Sequence, residues 1–354
     1  MAATIRYGII GTGMMGIEHM LNVRIIPDAV VTAIADTNET SRGWARDTAP
    51  EIDVYSDYRE MIERAPIDAV VVATPNFTHA EVLAHLLQTD HHILVEKPLC
   101  TTLEDCQLVE KAASNHAGVI WVGMEYRYMP LVARLIDEVR GGAVGNVRML
   151  AIREHRFPFL KKVDDWNRFS RNTGGTLVEK CCHFFDLMNH ILESRPTALF
   201  ASGAQDVNHL DETYGGNVPD ILDNAFVIVD YENGCRAMLD LCMFAEGSRT
   251  QQEIAVTGDI GKVECLLPES TLIIGKRDLG NVEKMTISVD DEVQNAGFHH
   301  GATFFQHLAF LDAIRRGSAP DVSLSDGLLA VAMGIAAQIS IDENRRVEMK
   351  ELGI

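Results

Sequence analysis

The sequence predicts a doubly wound α/β domain of buried parallel strands, followed by an α+β domain with a large, mainly antiparallel open sheet. Three observations support this prediction. Short apolar runs alternate with helical patterns up to about residue 124, and strand-like segments recur at hairpin spacing after about residue 145. The length of 354 residues also exceeds what a single small core usually holds. We therefore expect two domains, 1–124 and 125–354.

Five short runs are the candidate strands of the first domain. Each is apolar on both faces and is separated from the next by a helical pattern, which is typical of buried parallel strands joined by crossover helices. Helix starts are marked by Thr101 or Thr102 for one helix and by Asn76 or Thr78 for another. The expected strands are 4–10, 30–35, 69–73, 92–95 and 119–122.

The second domain is predicted from turn residues and from the alternation of side chains along its strands. Asn233-Gly234 supplies the positive φ angles that a tight hairpin needs. The residues after this turn alternate with period two, which favours an antiparallel sheet with one wetter face. The expected elements are strands 224–231, 235–244, 252–256 and 262–266, and helices 302–316 and 325–341.

Composition excludes several classes of function. Acidic residues outnumber basic residues by 51 to 31, for a formal net charge of −20, which disfavours nucleic-acid and membrane-surface partners. The apolar stretch at about 328–341 is interrupted and is expected to be too short to cross a bilayer, and no signal-like apolar region follows Met1. The seven cysteines, an odd number, indicate reduced thiols, and no residues have metal-ligand spacing. We expect a cytoplasmic protein without a bound metal.

A glycine-rich motif follows the first strand. Gly11-Thr-Gly-Met-Met-Gly16 matches G-x-G-x-x-G and precedes a helix. Glycines let the backbone approach a pyrophosphate closely, and the helix N-terminus offers N–H groups and positive potential. The expected coenzyme contacts in this turn are Gly11, Gly13, Met14, Met15 and Gly16.

Asp36 makes this motif more specific, because it ends the second strand 20 residues after Gly16. A carboxylate there accepts hydrogen bonds from the adenosine ribose hydroxyls and repels a 2′-phosphate. The following residues, Thr37-Asn38-Glu39, contain no arginine that could bind such a phosphate. The alternative, a turn that only packs strand against helix, does not account for this agreement. The sequence predicts NAD as the coenzyme rather than NADP.

Polar residues also follow two later strands of the expected sheet. The third strand leads into 74–79 and the fourth into Glu96-Lys97-Pro98. Since ligands bind at the carboxyl ends of parallel strands, we place Lys97 near the reacting atoms. The expected coenzyme contacts at these strand ends are Thr74, Asn76, His79, Glu96 and Lys97.

These motifs, with two later ones at 123–127 and 174–186, resemble the Gfo/Idh/MocA family, the glucose–fructose oxidoreductase and inositol dehydrogenase group. The resemblance covers residues 1 to about 200 and continues more weakly to about 340. It implies a Rossmann domain, an open-sheet domain that often mediates assembly, and NAD(P)-linked chemistry on sugars or cyclitols. A homodimer or homotetramer is therefore expected.

The resemblance also implies the catalytic residues. Inositol dehydrogenases of this family use the lysine of Glu-Lys-Pro and an Asp/His pair four residues apart. These positions fall on Lys97 and His183, while Glu179 stands where the family has aspartate and adds one methylene. Lys180 stands where many members have a small or polar side chain.

The residue types suit the oxidation of an alcohol. A base with a pKa near neutrality removes a hydroxyl proton effectively, which fits His183, and on a helix Glu179 would lie on the same face and orient it. A buried structural histidine is the alternative for His183, and a solvated or ion-paired surface lysine is the alternative for Lys180. The expected substrate contacts are Lys97, Tyr126, Arg127, Trp166, Asn167, Lys180 and His183.

The function expected from the sequence is an NAD-dependent dehydrogenase that oxidises a secondary hydroxyl of a sugar, cyclitol or sugar acid. The alternative is an NAD-dependent glycoside hydrolase that acts by transient ring oxidation and elimination. A third hypothesis is a non-catalytic regulator that senses NAD. The presence of both Lys97 and His183 disfavours it, because a sensor needs no acid/base pair.

Overall fold

The computed structural model describes residues 3–278 and 281–354. Its first 129 residues alternate strands and helices, as predicted. The strands are β1 Ile5–Ile10, β2 Ala29–Ala35, β3 Asp53–Tyr55, β4 Ala69–Val72, β5 His92–Glu96 and β6 Ile120–Gly123. The helices are α1 Met14–Arg24, α2 Glu39–Thr48, α3 Tyr58–Arg64, α4 His79–Leu86 and α5 Leu103–Ala112, and 3-10 turns lie at Asn76–Thr78, Ala113–Asn115 and Glu125–Tyr128.

The six strands form one sheet in the order β3-β2-β1-β4-β5-β6, with every pair parallel. This is the doubly wound order in which a nucleotide binds at the carboxyl ends of the strands. The five predicted strands are confirmed, whereas the short edge strand β3 lacks an apolar run and was missed. Of the two predicted candidates for the N-cap of α5, Thr102 is the one that caps the helix: its hydroxyl accepts a hydrogen bond from the Asp105 N–H at 3.1 Å.

In the next region, residues 130–288, one helix and one strand are followed by further helical segments, and the remaining strands come after them. Its helices are α6 Pro130–Arg140, α7 Ser170–Thr173, α8 Thr176–Glu179 and α9 Cys182–Leu192, with a 3-10 turn at Val163–Arg168. Its strands are β7 Val147–His155, β8 Pro196–Ala204, β9 Asn224–Tyr231, β10 Arg236–Cys242, β11 Gln252–Gly258, β12 Gly261–Leu267, β13 Thr271–Lys276 and β14 Val282–Thr286.

The end of the chain adds α10 Asp291–Asn295, α11 Ala302–Arg316, α12 Leu324–Glu343, β15 Val347–Glu348 and a 3-10 turn at Met349–Leu352. The second sheet has nine strands in the order β14-β13-β12-β11-β7-β10-β9-β8-β15. All its pairs are antiparallel except β10 with β7, so the predicted large, mainly antiparallel sheet is confirmed as a mixed sheet. The predicted hairpin joins β9 to β10, and Gly234 takes the positive φ of its turn.

The described residues divide into two compact units. One contains the chain up to Met129 together with Val289–Leu328, and the other contains Pro130–Ser288 and Leu329–Ile354. This division differs from the expected boundary at residue 124, because α11 returns to the first unit. There the ring of Phe310 packs edge-on against Tyr7 at 6.4 Å and Trp121 at 6.0 Å, which buries all three side chains.

Helix α12 has 20 residues and is longer than the apolar stretch at about 328–341 that the sequence shows. By length and composition it is long enough to cross a membrane, which corrects the expectation that this stretch is too short. More than half of its most apolar window, 56%, is buried inside the protein, with Ala330, Met333 and Ala337 fully covered. Such burial is the pattern of a core helix, which passes the same test.

Candidate functional site

The three glycines of the turn after β1 have different surroundings. Gly11 has a φ of +89°, and a Cβ there would lie 2.5 Å from the Ala73 carbonyl oxygen. A Cβ on Gly16 would lie 2.0 Å from the Gly11 carbonyl oxygen, so this glycine allows α1 to pack against the turn. A Cβ on Gly13 would meet no described atom within 4 Å. Gly13 therefore leaves open the space that a pyrophosphate approaches in this fold.

Gly13 is also the N-cap residue of α1, with extended backbone angles. A glycine at this position places no side chain over the first N–H groups of the helix, which carry partial positive charge. Met14 follows as a half-exposed side chain and Met15 is partly buried. The turn thus combines open backbone with the electropositive end of an 11-residue helix, and this combination suits a phosphate.

The Asp36 carboxylate is oriented by backbone groups at the end of β2. Its Oδ2 accepts a hydrogen bond from the Thr12 N–H at 2.7 Å, and its Oδ1 accepts one from the Asn38 N–H at 2.8 Å. The Thr12 hydroxyl also donates to Oδ2, at 3.3 Å. Because a carboxylate accepts about four hydrogen bonds, a lone pair of Oδ1 remains for a further donor. The carboxylate is therefore held beside the glycine turn, where Oδ1 can accept a hydrogen bond from a ribose hydroxyl group.

The segment after β4 contains a buried amide donor, Asn76, and a buried histidine, His79, that connects two loops. Asn76 is buried, and its Nδ2 has no hydrogen-bond partner within residues 3–278 and 281–354, which suits a site that a ligand completes. His79 is fully buried, and its ring nitrogens lie 2.9 Å from the Pro98 oxygen and 3.0 Å from the Thr74 oxygen. Burial lowers the pKa of His79, and the two carbonyl contacts oppose that shift. Because both ring nitrogens face carbonyl oxygens, His79 is a brace between two loops rather than a group open to a coenzyme.

Glu96 ends β5 as a buried carboxylate. Its Oε1 lies 2.9 Å from His19 Nε2, and its Oε2 accepts a hydrogen bond from the Lys97 N–H at 3.3 Å. Burial raises its pKa, but the hydrogen bond and charge of His19, with the charges of Lys97 and His299, together lower the pKa of Glu96 overall. Lys97 is partly buried at the carboxyl end of the same strand. The sheet therefore places Lys97 at the edge where the glycine turn and Asp36 lie.

A second buried cluster, which the sequence did not predict, lies in the first unit. Glu18 Oε1 lies 2.9 Å from His299 Nδ1, and the Thr303 hydroxyl lies 3.0 Å from Glu18 Oε1 and 2.6 Å from Glu125 Oε2. A hydroxyl donates only one proton, so one of the two carboxyl groups must itself carry a proton. Burial raises the pKa of Glu125, whereas His299 and Thr303 outweigh burial and lower the pKa of Glu18, so Glu125 is the member of the pair that binds a proton more readily.

The same cluster bears on metal binding. Ligand atoms of Glu18, Glu125 and His299 lie within 4.8 Å of one another, close enough to hold a metal ion. No sequence motif links these three residues, because they lie at positions 18, 125 and 299, far apart in the chain. Hydrogen bonds through Thr303 already join the two carboxyl groups.

Tyr126 and Arg127 follow β6 in the 3-10 turn and are both buried. Arg127 donates to the Asp321 carbonyl oxygen at 2.9 Å and lies 3.3 Å from the Asp326 carboxylate. The ring of Tyr126 lies 6.5 Å from the ring of His299. Arg127 thus joins the 321–326 segment to the turn after β6, within the first unit. The sequence had suggested a substrate contact for Arg127 and did not reveal this structural role.

Glu179 and His183 are buried in the second unit, but they do not lie on one continuous helix. Helix α8 ends at Glu179 and α9 begins at Cys182, with Lys180 and Cys181 between them. The expected placement four residues apart on one helical face is therefore interrupted. The Glu179 carboxylate lies 3.3 Å from Lys162 Nζ. No pattern in the sequence predicted this ion pair.

Lys180 is buried and ion-paired rather than solvated. Its Nζ lies 2.9 Å from Glu154 Oε1 on β7 and 5.4 Å from the centre of the Phe184 ring. Burial lowers the pKa of Lys180, and Glu154 opposes that shift. The Glu154 carboxylate also accepts hydrogen bonds from Gln252 Nε2 at 3.0 Å and Arg156 at 3.3 Å. Glu154 is thus the centre of a buried polar group that the sequence did not reveal.

Trp166 and Asn167 lie in the 3-10 turn before α7. Trp166 is half-buried, and Lys162 Nζ lies over its ring at 4.6 Å. Asn167 is fully buried and donates from Nδ2 to the Leu160 carbonyl oxygen at 2.9 Å. Arg168, the next residue, is almost fully buried and bonds Glu212 at 2.9 Å. The expected sugar contacts of this turn are thus engaged with protein groups.

Comparison with known families gives two matches along the chain. Residues 5–124 match the family model described as "Oxidoreductase family, NAD-binding Rossmann fold", and residues 136–349 match the model described as "Oxidoreductase family, C-terminal alpha/beta domain". Among curated proteins, myo-inositol 2-dehydrogenase of Thermotoga maritima is 26% identical over 98% of this chain and 99% of its own length. The NAD(+)-dependent scyllo-inositol 2-dehydrogenase of Bacillus subtilis is 24% identical over 98% of this chain and 96% of its own.

Solved structures share the fold over the whole chain. A probable dehydrogenase from Thermotoga maritima superposes with a TM-score of 0.81 at 25% identity, covering 98% of this chain and 99% of that one. Levoglucosan dehydrogenase in complex with NADH and levoglucosan has a TM-score of 0.84 at 19% identity, covering 98% and 99%. With the glycine turn and the oriented Asp36 carboxylate, these matches show that the chain is an NAD-binding oxidoreductase of the Gfo/Idh/MocA family.

Proposed function

We propose that this protein oxidises a secondary hydroxyl group of a cyclitol, sugar or sugar acid, with NAD as the hydride acceptor. The observation that carries the proposal is the set of residues at the carboxyl ends of the strands of the first sheet. Gly13 follows β1 and has no described atom within 4 Å of its Cβ position, the oriented Asp36 carboxylate follows β2, and Lys97 follows β5. The full-length likeness to inositol dehydrogenases supports the alcohol as the reacting group.

The coenzyme contacts follow from the residues at that edge. Gly11, Gly13, Met14, Met15 and Gly16 would hold the pyrophosphate, and Asp36 would bind the adenosine ribose. Thr74, Asn76, Glu96 and Lys97 would lie along the rest of the dinucleotide, with the free Nδ2 of Asn76 as a ready donor. His79 would act indirectly, by bracing Thr74 and Pro98. When bound, NAD supplies the acceptor for the hydride.

The chain's own residues would handle the proton. In the proposed reaction the substrate carbon loses a hydride and its hydroxyl loses a proton to His183, which acts as the general base. Glu179 would stabilise the protonated imidazole, and Lys97 would stabilise the negative charge that develops on the oxygen. Lys97 belongs to the first unit and His183 to the second, and their joint action on one substrate is what the family resemblance implies.

The state of the basic residues favours a neutral polyol over a sugar acid. Lys180 faces Glu154, and Lys162 faces Glu179, so neither ammonium group offers uncompensated charge for a substrate carboxylate. Arg153 pairs with Glu253, and His155 lies 3.0 Å from Asp240. Tyr126, Arg127, Trp166 and Asn167 remain proposed substrate neighbours as second-tier candidates, because Arg127 is engaged by Asp321 and Asp326, and Asn167 donates to the Leu160 carbonyl oxygen.

The division of roles and the setting of the enzyme are also proposals. We propose that residues 1–124 bind the coenzyme and that 125–354 bind substrate and mediate assembly as a homodimer or homotetramer. All seven cysteines are free thiols and six are buried, which supports a reducing compartment such as the cytoplasm. None of the relatives named above is a glycoside hydrolase, so the comparisons give no support to that alternative.

The test is a panel of cyclitols, aldoses and uronates with NAD, followed by NADH fluorescence. We expect net NADH equal to the product formed, with neutral polyols ahead of uronates. His183→Ala should lower kcat by about 10²-fold or more through loss of the base. His190→Ala, on the same helix α9, is the matched control and should stay near the wild type. Substrate consumption without net NADH, or wild-type turnover by His183→Ala, would overturn the proposal.

A further inference from the structure

We propose that Glu39 is a positioning residue for coenzyme selectivity: it engages the guanidinium groups of Arg42 and Arg46 and so prevents them from receiving the 2′-phosphate of NADP. The inference goes beyond the oxidation itself, because it concerns which dinucleotide the first unit accepts. It rests on side chains of α2, the helix that begins three residues after Asp36.

Arg42 lies directly at the ribose end of the expected coenzyme site. Its NH1 donates to the Asp36 backbone oxygen at 2.6 Å, so the guanidinium group is anchored to the residue whose carboxylate faces the ribose. Its Nε donates to Glu39 Oε2 at 3.0 Å, and its NH2 donates to the same oxygen. All three nitrogens of Arg42 are thus engaged, and its side chain is only 14% exposed.

Glu39 holds a second guanidinium group with its other oxygen. Arg46 NH1 donates to Glu39 Oε1 at 2.9 Å, so one carboxylate bridges two arginines on successive turns of α2. The spacing of residues 39, 42 and 46 places all three side chains on one face of the helix. The hydrogen bonds from Arg46 and Arg42 lower the pKa of Glu39, so this carboxylate is charged at neutral pH.

The chemistry explains why this bridge matters. Two guanidinium groups beside an adenosine ribose are the donors that bind a phosphate best, because each matches two of its oxygens. In NAD-binding sites the acidic residue after the second strand repels a 2′-phosphate, and in NADP-binding sites a nearby arginine accommodates it. This chain has both kinds of residue: Arg42 is bonded to Asp36 itself, and Arg46 lies about one turn further along the same helix. Glu39 neutralises those cations and orients them toward itself.

A simpler account is that Glu39 repels the phosphate by its own charge. The two accounts differ in what Arg42 does. If Glu39 acts through the arginines, removing its carboxylate strengthens NADPH binding only while Arg42 is present. If Glu39 acts by repulsion alone, the gain is the same when Arg42 is replaced by glutamine. A double-variant comparison therefore separates them.

The experiment measures binding without substrate, by calorimetric titration of NADPH, NADH and 2′,5′-ADP into the full-length protein. Asp36→Asn is the background, because it removes the main repulsion and lets NADPH bind measurably. Adding Glu39→Gln should tighten NADPH and 2′,5′-ADP by a further ~10-fold and change NADH by less than about twofold. Adding Arg42→Gln should abolish this gain.

Asp47→Asn is the matched control, since it removes one negative charge from an exposed position on the same helix, while the ion pairs described for Arg42 and Arg46 are with Glu39. It should change the ratio of NADPH to NADH affinity by less than about twofold. If the Asp36→Asn background fails to fold, the same ratio is measured for Glu39→Gln alone. No gain from Glu39→Gln, an equal gain without Arg42, or an equal gain from Asp47→Asn would overturn the proposal. These outcomes do not depend on which alcohol the enzyme oxidises.

Discussion

Replacing Gly13 by alanine should weaken coenzyme binding and leave the fold intact, whereas replacing Gly16 should destabilise the fold itself. The two glycines are three residues apart in one turn and differ in what their missing Cβ would meet. Gly13 has φ −69° and ψ −163°, angles that alanine adopts readily, and its Cβ would meet no described atom within 4 Å. Alanine reduces the freedom of the unfolded chain, which favours folding, but it is a poorer N-cap than glycine, which opposes folding. The two effects are each about 1 kcal/mol or less, so the Tm should stay close to that of the wild type.

The loss in binding follows from the position of the new methyl group. It would occupy the space through which a pyrophosphate reaches the N–H groups of α1. One charge-assisted hydrogen bond contributes about 1.5–3 kcal/mol, and each 1.4 kcal/mol is a factor of ten in affinity. We expect the NADH dissociation constant of Gly13→Ala to rise by about 10- to 100-fold.

The Gly16 substitution has the opposite profile. Its Cβ would lie 2.0 Å from the Gly11 oxygen, against the 3.4 Å at which ordinary contact begins, so the backbone must move by about 1.4 Å. Overpacking of this kind costs about 3 kcal/mol or more, which corresponds to a fall in Tm of about 6–12 °C. Thermal unfolding and fluorescence titration with NADH measure both effects. Wild-type NADH affinity in Gly13→Ala, or a wild-type Tm in Gly16→Ala, would refute the reasoning.

Two further predictions concern the second unit. Although desolvation opposes it, hydrogen bonds from Tyr214, His209 and Arg168 lower the pKa of Glu212 to about 2, below the ordinary 4.5. Its stabilisation is therefore complete above pH 4.5 and lost as the pH falls toward 2, so the Tm deficit of Glu212→Gln should shrink on acidification; a deficit independent of pH would contradict this. Glu154→Gln should destabilise by about 3–5 kcal/mol, because its carboxylate faces the buried ammonium of Lys180 at 2.9 Å. Adding Lys180→Met should recover part of that loss in thermal unfolding, and strictly additive effects would rule out the coupling.

The coenzyme edge was predictable because it is built from local patterns. The G-x-G-x-x-G turn, the strand before it and Asp36 lie within 36 residues, and each has a signal that a single sequence carries. Alternation of apolar runs identified the parallel strands, since burial on both faces leaves a continuous hydrophobic segment. The Glu39–Arg42 contact was also within reach, because residues three apart on a helix are neighbours. The prediction of NAD did not include it, because the three residues that follow Asp36 contain no arginine and Arg42 lies one helical turn further on.

The sequence by itself determined the two sheets, the glycine turn, the Asp36 carboxylate and the family, because periodicity and short motifs carry that information. Only the tertiary structure decided that α11 packs with the first unit, that Glu154 faces Lys180, and that Thr303 joins Glu18 to Glu125. The members of these groups lie 26 to 285 residues apart. Their meeting depends on which faces of distant elements pack together and on the need of every buried polar group for a partner, and no local pattern records either.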